Sequence, residues 1–110
     1  MFSSEAAYEK GWIRTAWLGH NIVGFTCVRH KVLAPETILY FIAVDPLCRN
    51  EGVGQVLMKD LEQQTPHQRI TLNVMHTNRD ALRFYERLGY RVVAEDAVKG
   101  TAWRMVKELD

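Results

Sequence analysis

From Ile38 to Val44 the chain runs Ile-Leu-Tyr-Phe-Ile-Ala-Val, an unbroken apolar stretch of branched and aromatic residues. Such a run predicts a central strand covered on both faces. Pro46, which has no amide hydrogen for a ladder, ends it. Val53, Val56, Leu57 and Leu61 then recur at helical spacing, which predicts a helix from about Gly52 to near Gln64. Thr65 to Gln68 makes the return, and Ile70 to Met75 reads as the next strand. A strand–helix–strand crossover of this length implies that the second strand runs parallel to the first, by a right-handed connection. Upstream, Trp12 to Leu18 and Ile22 to His30 read as two strands joined at Gly19-His20-Asn21. Their Trp12, Trp17 and Phe25 are expected in core or interface packing, and His20 and His30, at strand ends, as solvated surface histidines. Lys31 to Glu36 is a loop. Downstream, Asn78 or Thr77 caps a helix with an inner stripe of Ala81, Phe84, Tyr85 and Leu88, and Gly89 supplies a left-handed stop. Tyr90 to Ala94 and Thr101 to Leu109 read as an antiparallel pair. Ser3 or Ser4 predicts a cap for a short helix over Glu5 to Lys10, stopped at Gly11. The sum is an α/β (α+β) fold, a mixed sheet with helices packed on it.

Parallel neighbours whose ends splay apart leave a slot at their carboxyl ends, a favoured place for ligands. Here that end runs into Gly52 and Gly54, which allow a tight turn and a close backbone approach. The helix that follows starts with amides lacking carbonyl partners and with the positive end of its dipole, together an anion site. Arg49 adds a fixed positive charge just before it. The pattern is not a P-loop, because no Gly-Lys-Ser/Thr follows. It is not the dinucleotide fingerprint either, because Leu57 stands where the third glycine belongs. Turn-forming glycines would account for the pair alone. The whole order of strand, Val-x-Pro, arginine, glycines and amphipathic helix points further, to a cofactor carrying a diphosphate.

Composition narrows the class. At 110 residues the chain is read as one domain, residues 1–110, with a single core. An apolar fraction of 47% and a charged fraction of 25% are those of an ordinary soluble globular protein. A net charge of +1 gives no reason to expect nucleic acid or an anionic membrane as partner. No stretch approaches the roughly 18 apolar residues of a membrane helix. Cys27 and Cys48 lack metal-ligand spacing, so no metal is expected, and they read as reduced thiols in a cytoplasmic protein; a single disulfide is the other reading. The acidic amino terminus is unlike a signal peptide.

Two segments carry a family resemblance. Arg49-Asn50-Glu51-Gly52-Val53-Gly54 resembles the Arg/Gln-x-x-Gly-x-Gly/Ala cofactor motif of the GNAT superfamily of acetyl-CoA-dependent N-acetyltransferases. Asn78-Arg79-Asp80-Ala81-Leu82-Arg83-Phe84-Tyr85-Glu86-Arg87-Leu88-Gly89-Tyr90, after its strand, resembles that family's Asn-x-x-Ala-x-x-Phe-Tyr-x-x-x-Gly-Tyr/Phe segment. The resemblance covers roughly residues 12 to 109 and implies a mostly antiparallel sheet with one splayed parallel pair. It implies acetyl-CoA as co-substrate, its pantetheine arm against backbone groups of Ile42, Ala43 and Val44. Strand amides aimed at the thioester carbonyl would each be worth about 3 kcal/mol of oxyanion stabilisation. The diphosphate would fall on the amides of Arg49, Asn50, Glu51, Gly52, Val53, Gly54 and Gln55, and Asn78 would hold the pantetheine arm.

The resemblance places Tyr85 where family members keep the acid that protonates the departing thiolate. A phenol of pKa about 10 can donate to a thiolate whose acid lies near 8 to 9; on periodicity alone Tyr85 is a core residue. A base is harder to find. Asn73 stands where members acting on protein amino termini often have a glutamate, and it cannot take a proton. His76 is a conceivable substitute, with a solvent-facing histidine beside a cap as the plainer reading. Family domains generally open with another strand and two helices, whereas this sequence begins almost at the second strand. Two long helices cannot easily shield both faces of a sheet in which Ile22 and Val28 face one way and Val23 and Phe25 the other. Exposed patches beyond roughly a few hundred Å² mark interfaces, so a homodimer, or a larger assembly, that covers the open face and helps to complete the acceptor site is expected. The function implied is transfer of acetyl to a primary amine, on a small molecule or a protein. A CoA-binding module without turnover and an assembly subunit stand as alternatives.

Overall fold

A computed structural model describes residues 10–31, 33–95 and 100–110. Six strands and two α-helices follow one another: β1 (Lys10–Leu18), β2 (Asn21–His30), β3 (Thr37–Val44), α1 (Val53–Gln64), β4 (Arg69–Met75), α2 (Arg79–Arg87), β5 (Arg91–Glu95) and β6 (Ala102–Glu108). They form one sheet in the order β1-β2-β3-β4-β6-β5. Only β3 and β4 pair parallel, as the crossover through α1 requires; the other pairs are antiparallel. The short amino-terminal helix expected over Glu5 to Lys10 lies outside the described residues, except that Lys10 and Gly11 belong to β1.

Both helices contribute to one buried cluster. Met58 and Leu61 of α1 and Tyr85 of α2 pack with Val28, Leu39, Ile70, Leu72 and Met105 of the sheet. Each such side chain removed from water contributes roughly 1.5–3 kcal/mol. A polar clasp holds the helices to β6: Glu62 accepts from Tyr90 Oη at 3.0 Å and from Lys107 Nζ at 2.9 Å, while Lys107 also donates to the Leu88 carbonyl at 2.7 Å. Arg14 marks the same face, since its guanidinium reaches Asp60 of α1 at 2.8 and 2.9 Å. Strand alternation then turns Ile13, Phe25, Phe41 and Met75 to the other face, where they are 47%, 36%, 65% and 54% exposed. Among the described residues no helix covers that face.

Several expectations need correction. β3 is not covered on both faces: Thr37 and Leu39 are buried, whereas Tyr40 and Phe41 are exposed. The pairing jumps from Val28↔Leu39 to Cys27↔Phe41, leaving Tyr40 as an extra residue. A second jump, from Ala16↔Gly24 to Trp17↔Ile22, makes Val23 extra in β2. Each such bulge shifts the alternation by one. Val23 and Val28 are therefore both buried, and Ile22 and Phe25 both exposed, instead of the expected pairing of Ile22 with Val28. Trp17 is largely exposed, its Nε1 donating to Thr15 Oγ1 at 2.8 Å. His30 is not a solvated surface histidine. It is buried, its Nδ1 2.7 Å from Thr37 Oγ1 and its ring edge-on to Trp12 at 4.2 Å.

Candidate active site

Hydrogen bonding between β3 and β4 covers three residue pairs, Thr37↔Ile70, Ile38↔Thr71 and Leu39↔Leu72, and then stops. Each strand goes on along its outer neighbour, β3 with β2 as far as Val44↔Gly24 and β4 with β6 as far as Met75↔Ala102. The two strands therefore part, and beyond Leu39 and Leu72 the edges that face each other have no strand partner. The bulge at Tyr40 falls where they separate.

The chain leaves β3 through a stiff turn. The Asp45 amide donates to the Val23 carbonyl at 2.7 Å, and Asp45 Oδ1 accepts from the Leu47 amide at 2.9 Å, starting a single 3-10 turn at Pro46–Cys48. Asn50 and Gly52 follow with φ of 67° and 84°, the left-handed region that asparagine and glycine tolerate. Gly52 is the N-cap of α1; no side chain caps the helix and no acid stands in its first turn. The first helical bond is Val56 N to Gly52 O at 3.0 Å. The amides of Val53, Gly54 and Gln55 thus precede the helical ladder, and the exposed Arg49 stands beside them.

A cleft of about 890 Å³ opens where these elements meet. The end of β3 (Ile42, Ala43, Val44), the turn and start of α1 (Arg49, Asn50, Gly52, Val53, Gly54, Gln55) and α2 with its cap (Asn78, Tyr85) line it. Every cofactor residue expected from sequence lies on it except Glu51, which lines a smaller hollow of about 210 Å³ with Trp17, Leu18 and Val56. Asn78, not Thr77, caps α2, its Oδ1 accepting from the Ala81 amide at 3.1 Å. That leaves the side-chain NH2 of Asn78 as the group free to meet a ligand. Tyr85 is 6% exposed, between Phe84 and Tyr90 rings, and burial pushes its phenol up to about 12. It is protonated at neutral pH and can act as a proton donor.

Neither Asn73, at the position where a glutamate base often stands, nor His76, the conceivable substitute, lines the cleft. Asn73 is exposed on the far face of β4. His76 is half-buried, not solvent-facing: it stacks on Trp103 at 4.2 Å, with Nε2 3.5 Å from Glu95 Oε1, and it is not on the cleft wall. Cys27 and Cys48 are free thiols, and Cys48 lines the cleft. Among the described residues no group of three or more His, Cys, Asp or Glu is placed to hold a metal, and no helix is long and apolar enough to cross a membrane.

Sequence reasoning missed Gly24. A Cβ there would lie 2.9 Å from the Ala43 carbonyl oxygen, 3.0 Å from Leu57 and 3.1 Å from Val53, so its absence lets the start of α1 lie against β2 and β3. A glycine inside a strand pattern was the available signal. Gly54 was expected to make room for a ligand, but a Cβ there would come 3.2 Å from Phe84 of α2. Its smallness also lets the two helices close on each other.

A parted parallel pair, an uncapped helix start and a buried phenol thus meet on one cleft. The sequence profile of the acetyltransferase (GNAT) family matches residues 2–90, and the chain belongs to that family. A 5-NmdU N-acetyltransferase of Pseudomonas phage PaMx11 is 47% identical over 108 residues, covering 98% of this chain and 76% of that protein. The fold is similar to that of a GNAT acetyltransferase of Elizabethkingia anophelis with acetyl-CoA bound (TM-score 0.78, 18% identity, 90% of this chain and 76% of that one). It is also similar to that of the PaiA N-acetyltransferase of Thermoplasma acidophilum in complex with coenzyme A (TM-score 0.78, 19% identity, 96% and 64%). The chain is a GNAT N-acetyltransferase.

Proposed function

We propose that the protein moves the acetyl group of acetyl-CoA to a primary amine by direct attack in a ternary complex, with Tyr85 as general acid. The observation that carries this reading is the parting of β3 and β4 beside an uncapped helix start, with Tyr85 on the wall of the same cleft. The residues fit the co-substrate. Along Ile42, Ala43 and Val44 the backbone groups alternate, those of Ala43 facing β2; the free edge groups of Ile42 and Val44 suit its amide-bearing arm, and the amides from Arg49 to Gln55 suit a diphosphate. Bound there, acetyl-CoA supplies an activated thioester. Tyr85 would give its proton to the leaving sulfur, and its raised pKa keeps that proton in place over the physiological range. With Asn73 unable to accept a proton and His76 off the cleft, the amine proton passes to solvent.

For the acceptor we take the name of the phage relative as guide. The dU of 5-NmdU is read as deoxyuridine, so the acceptor class is an amine carried at position 5 of a uracil ring. The near-neutral charge of the chain gave no reason to expect nucleic acid, so the free nucleoside is the first acceptor to try. Thiol release from acetyl-CoA with that acceptor tests the reaction. Tyr85→Phe should lower kcat about a hundredfold and leave KM within about threefold; an unchanged kcat removes Tyr85 from the mechanism. We further propose a homodimer that covers the hairpin half of the open face, around Ile13 and Phe25, and leaves the parted strands accessible. A monodisperse monomer in sedimentation would refute it.

A further inference from the structure

Asn73 is the first residue of β4 beyond the last parallel pair, Leu39↔Leu72. Its neighbours Leu72 and Val74 are buried, so Asn73 points to the open face with Met75, and it is exposed. Its side-chain amide makes no hydrogen bond to another described residue. A polar group of fixed shape thus stands unengaged at the lip of the gap. Across that gap β3 carries Phe41, 65% exposed, on the same open face. One lip offers an amide and the other an aromatic ring.

A carboxamide presents a donor and an acceptor side by side, and this is the complement of a ring edge that carries a carbonyl next to an N–H. The uracil edge from O4 to N3–H has that form, and O4 is the neighbour of position 5. A ring whose O4 and N3–H meet Asn73 therefore presents its 5-substituent beside the contact. Phe41 offers that ring a face to stack on, an interaction every base can make. The amide can turn over, so it reads the presence of a donor–acceptor edge and not its order. A simple alkylamine has no such edge. Resting on the proposed acceptor class, we propose that Asn73 is a specificity-determining residue that binds the imide edge of the acceptor's uracil ring, with Phe41 as the stacking surface. The asparagine in place of a glutamate base is then a recognition device.

The test is a kinetic cycle on the full chain with saturating acetyl-CoA. Its acceptors are 5-NmdU nucleoside and the same nucleoside methylated at N3, which removes the imide donor. For Asn73→Ala we expect KM for 5-NmdU to rise about 10- to 100-fold, kcat to stay within about threefold and acetyl-CoA affinity to hold. N3-methylation should cost the native protein a similar factor and cost Asn73→Ala little more, since both remove one contact. Asn73→Ser gives the same reading if the alanine variant fails to fold. Independent losses from the two changes, or an unaffected KM, overturn the role of Asn73 while leaving the acceptor in place. If the native protein does not acetylate 5-NmdU at all, the acceptor class and this inference fall together.

Discussion

The two ends of the β3–β4 pair share strands and sequence character but differ in what the strands do. At the amino-terminal end Thr37, Leu39, Ile70 and Leu72 are buried and the ladder is intact. Thr37 Oγ1 sits 2.7 Å from His30 Nδ1 and 2.7 Å from Thr65 Oγ1, so the end of α1 is tied to the sheet through hydroxyls. At the carboxyl-terminal end the ladder has stopped, and Tyr40, Phe41 and Met75 are exposed. One strand pair therefore supplies both a sealed core and an open site. Backbone groups left without partners at the open end are tolerable because solvent or a ligand can reach them.

The largest break in that comparison comes from truncating one side chain at each end. Leu39→Ala should cost about 2–5 kcal/mol, because Leu39 is 6% exposed and its loss leaves a cavity inside the main cluster. Phe41→Ala, two residues along the same strand, should stay within about 0.5 kcal/mol. Urea unfolding of the two variants measures both. Equal losses would mean that the open end is packed as the closed end is.

An unbroken apolar run cannot report this division. The run Ile38–Val44 identified β3, but which of its residues are covered depends on β2, β4 and α1, and on a bulge at Tyr40 that no local signal marks. Elements set by local chemistry were legible. Pro46 ended β3, Gly52 took the left-handed cap, Asn78 capped α2 and Gly89 followed it with φ of 98°. The cleft was legible too, because its wall is the strand–turn–helix segment with Asn78 and Tyr85 added. Burial of His30 was not. It arises from Trp12, eighteen residues earlier, and from Thr37 on the neighbouring strand.

His30 gives the next test, at the sealed end. Burial, and then the nearby charge of His67, lowers its pKa to about 4 from the ordinary 6.5. Its Nε2 is buried without a hydrogen-bond partner, which disfavours the charged form. The folded state therefore resists a proton that the unfolded chain accepts. Stability from this group is complete above about pH 6.5 and falls as the pH drops towards about 4, by roughly 2–3 kcal/mol. Carboxylates such as Glu36, whose pKa is also lowered, add a loss of the same sign at low pH. The informative quantity is the native protein minus His30→Gln, measured by unfolding from pH 7 to 4. The difference should shrink as the pH falls, and parallel curves would show that His30 titrates as an ordinary histidine.

A smaller loss of stability than that of Leu39→Ala should go with the clearest effect on the open end. Gly24 lies in β2 opposite Val44, under the start of α1. A methyl there meets the Ala43 carbonyl oxygen at 2.9 Å, and that oxygen belongs to backbone that cannot swing aside as a side chain does. Leu57 and Val53 close the other directions at 3.0 and 3.1 Å. The strain must be relieved by lifting the first turn of α1 or by shifting the end of β3, and both form the cleft wall. Gly24→Ala should therefore cost about 1–2 kcal/mol in unfolding and also weaken acetyl-CoA binding, by about tenfold in titration calorimetry. Leu39→Ala, which hollows the sealed end, should leave that affinity within about threefold at a temperature where it stays folded. If the two variants exchange these effects, the ends of the strand pair are not separable, and the cleft depends on core packing as a whole instead of on the seat of one helix.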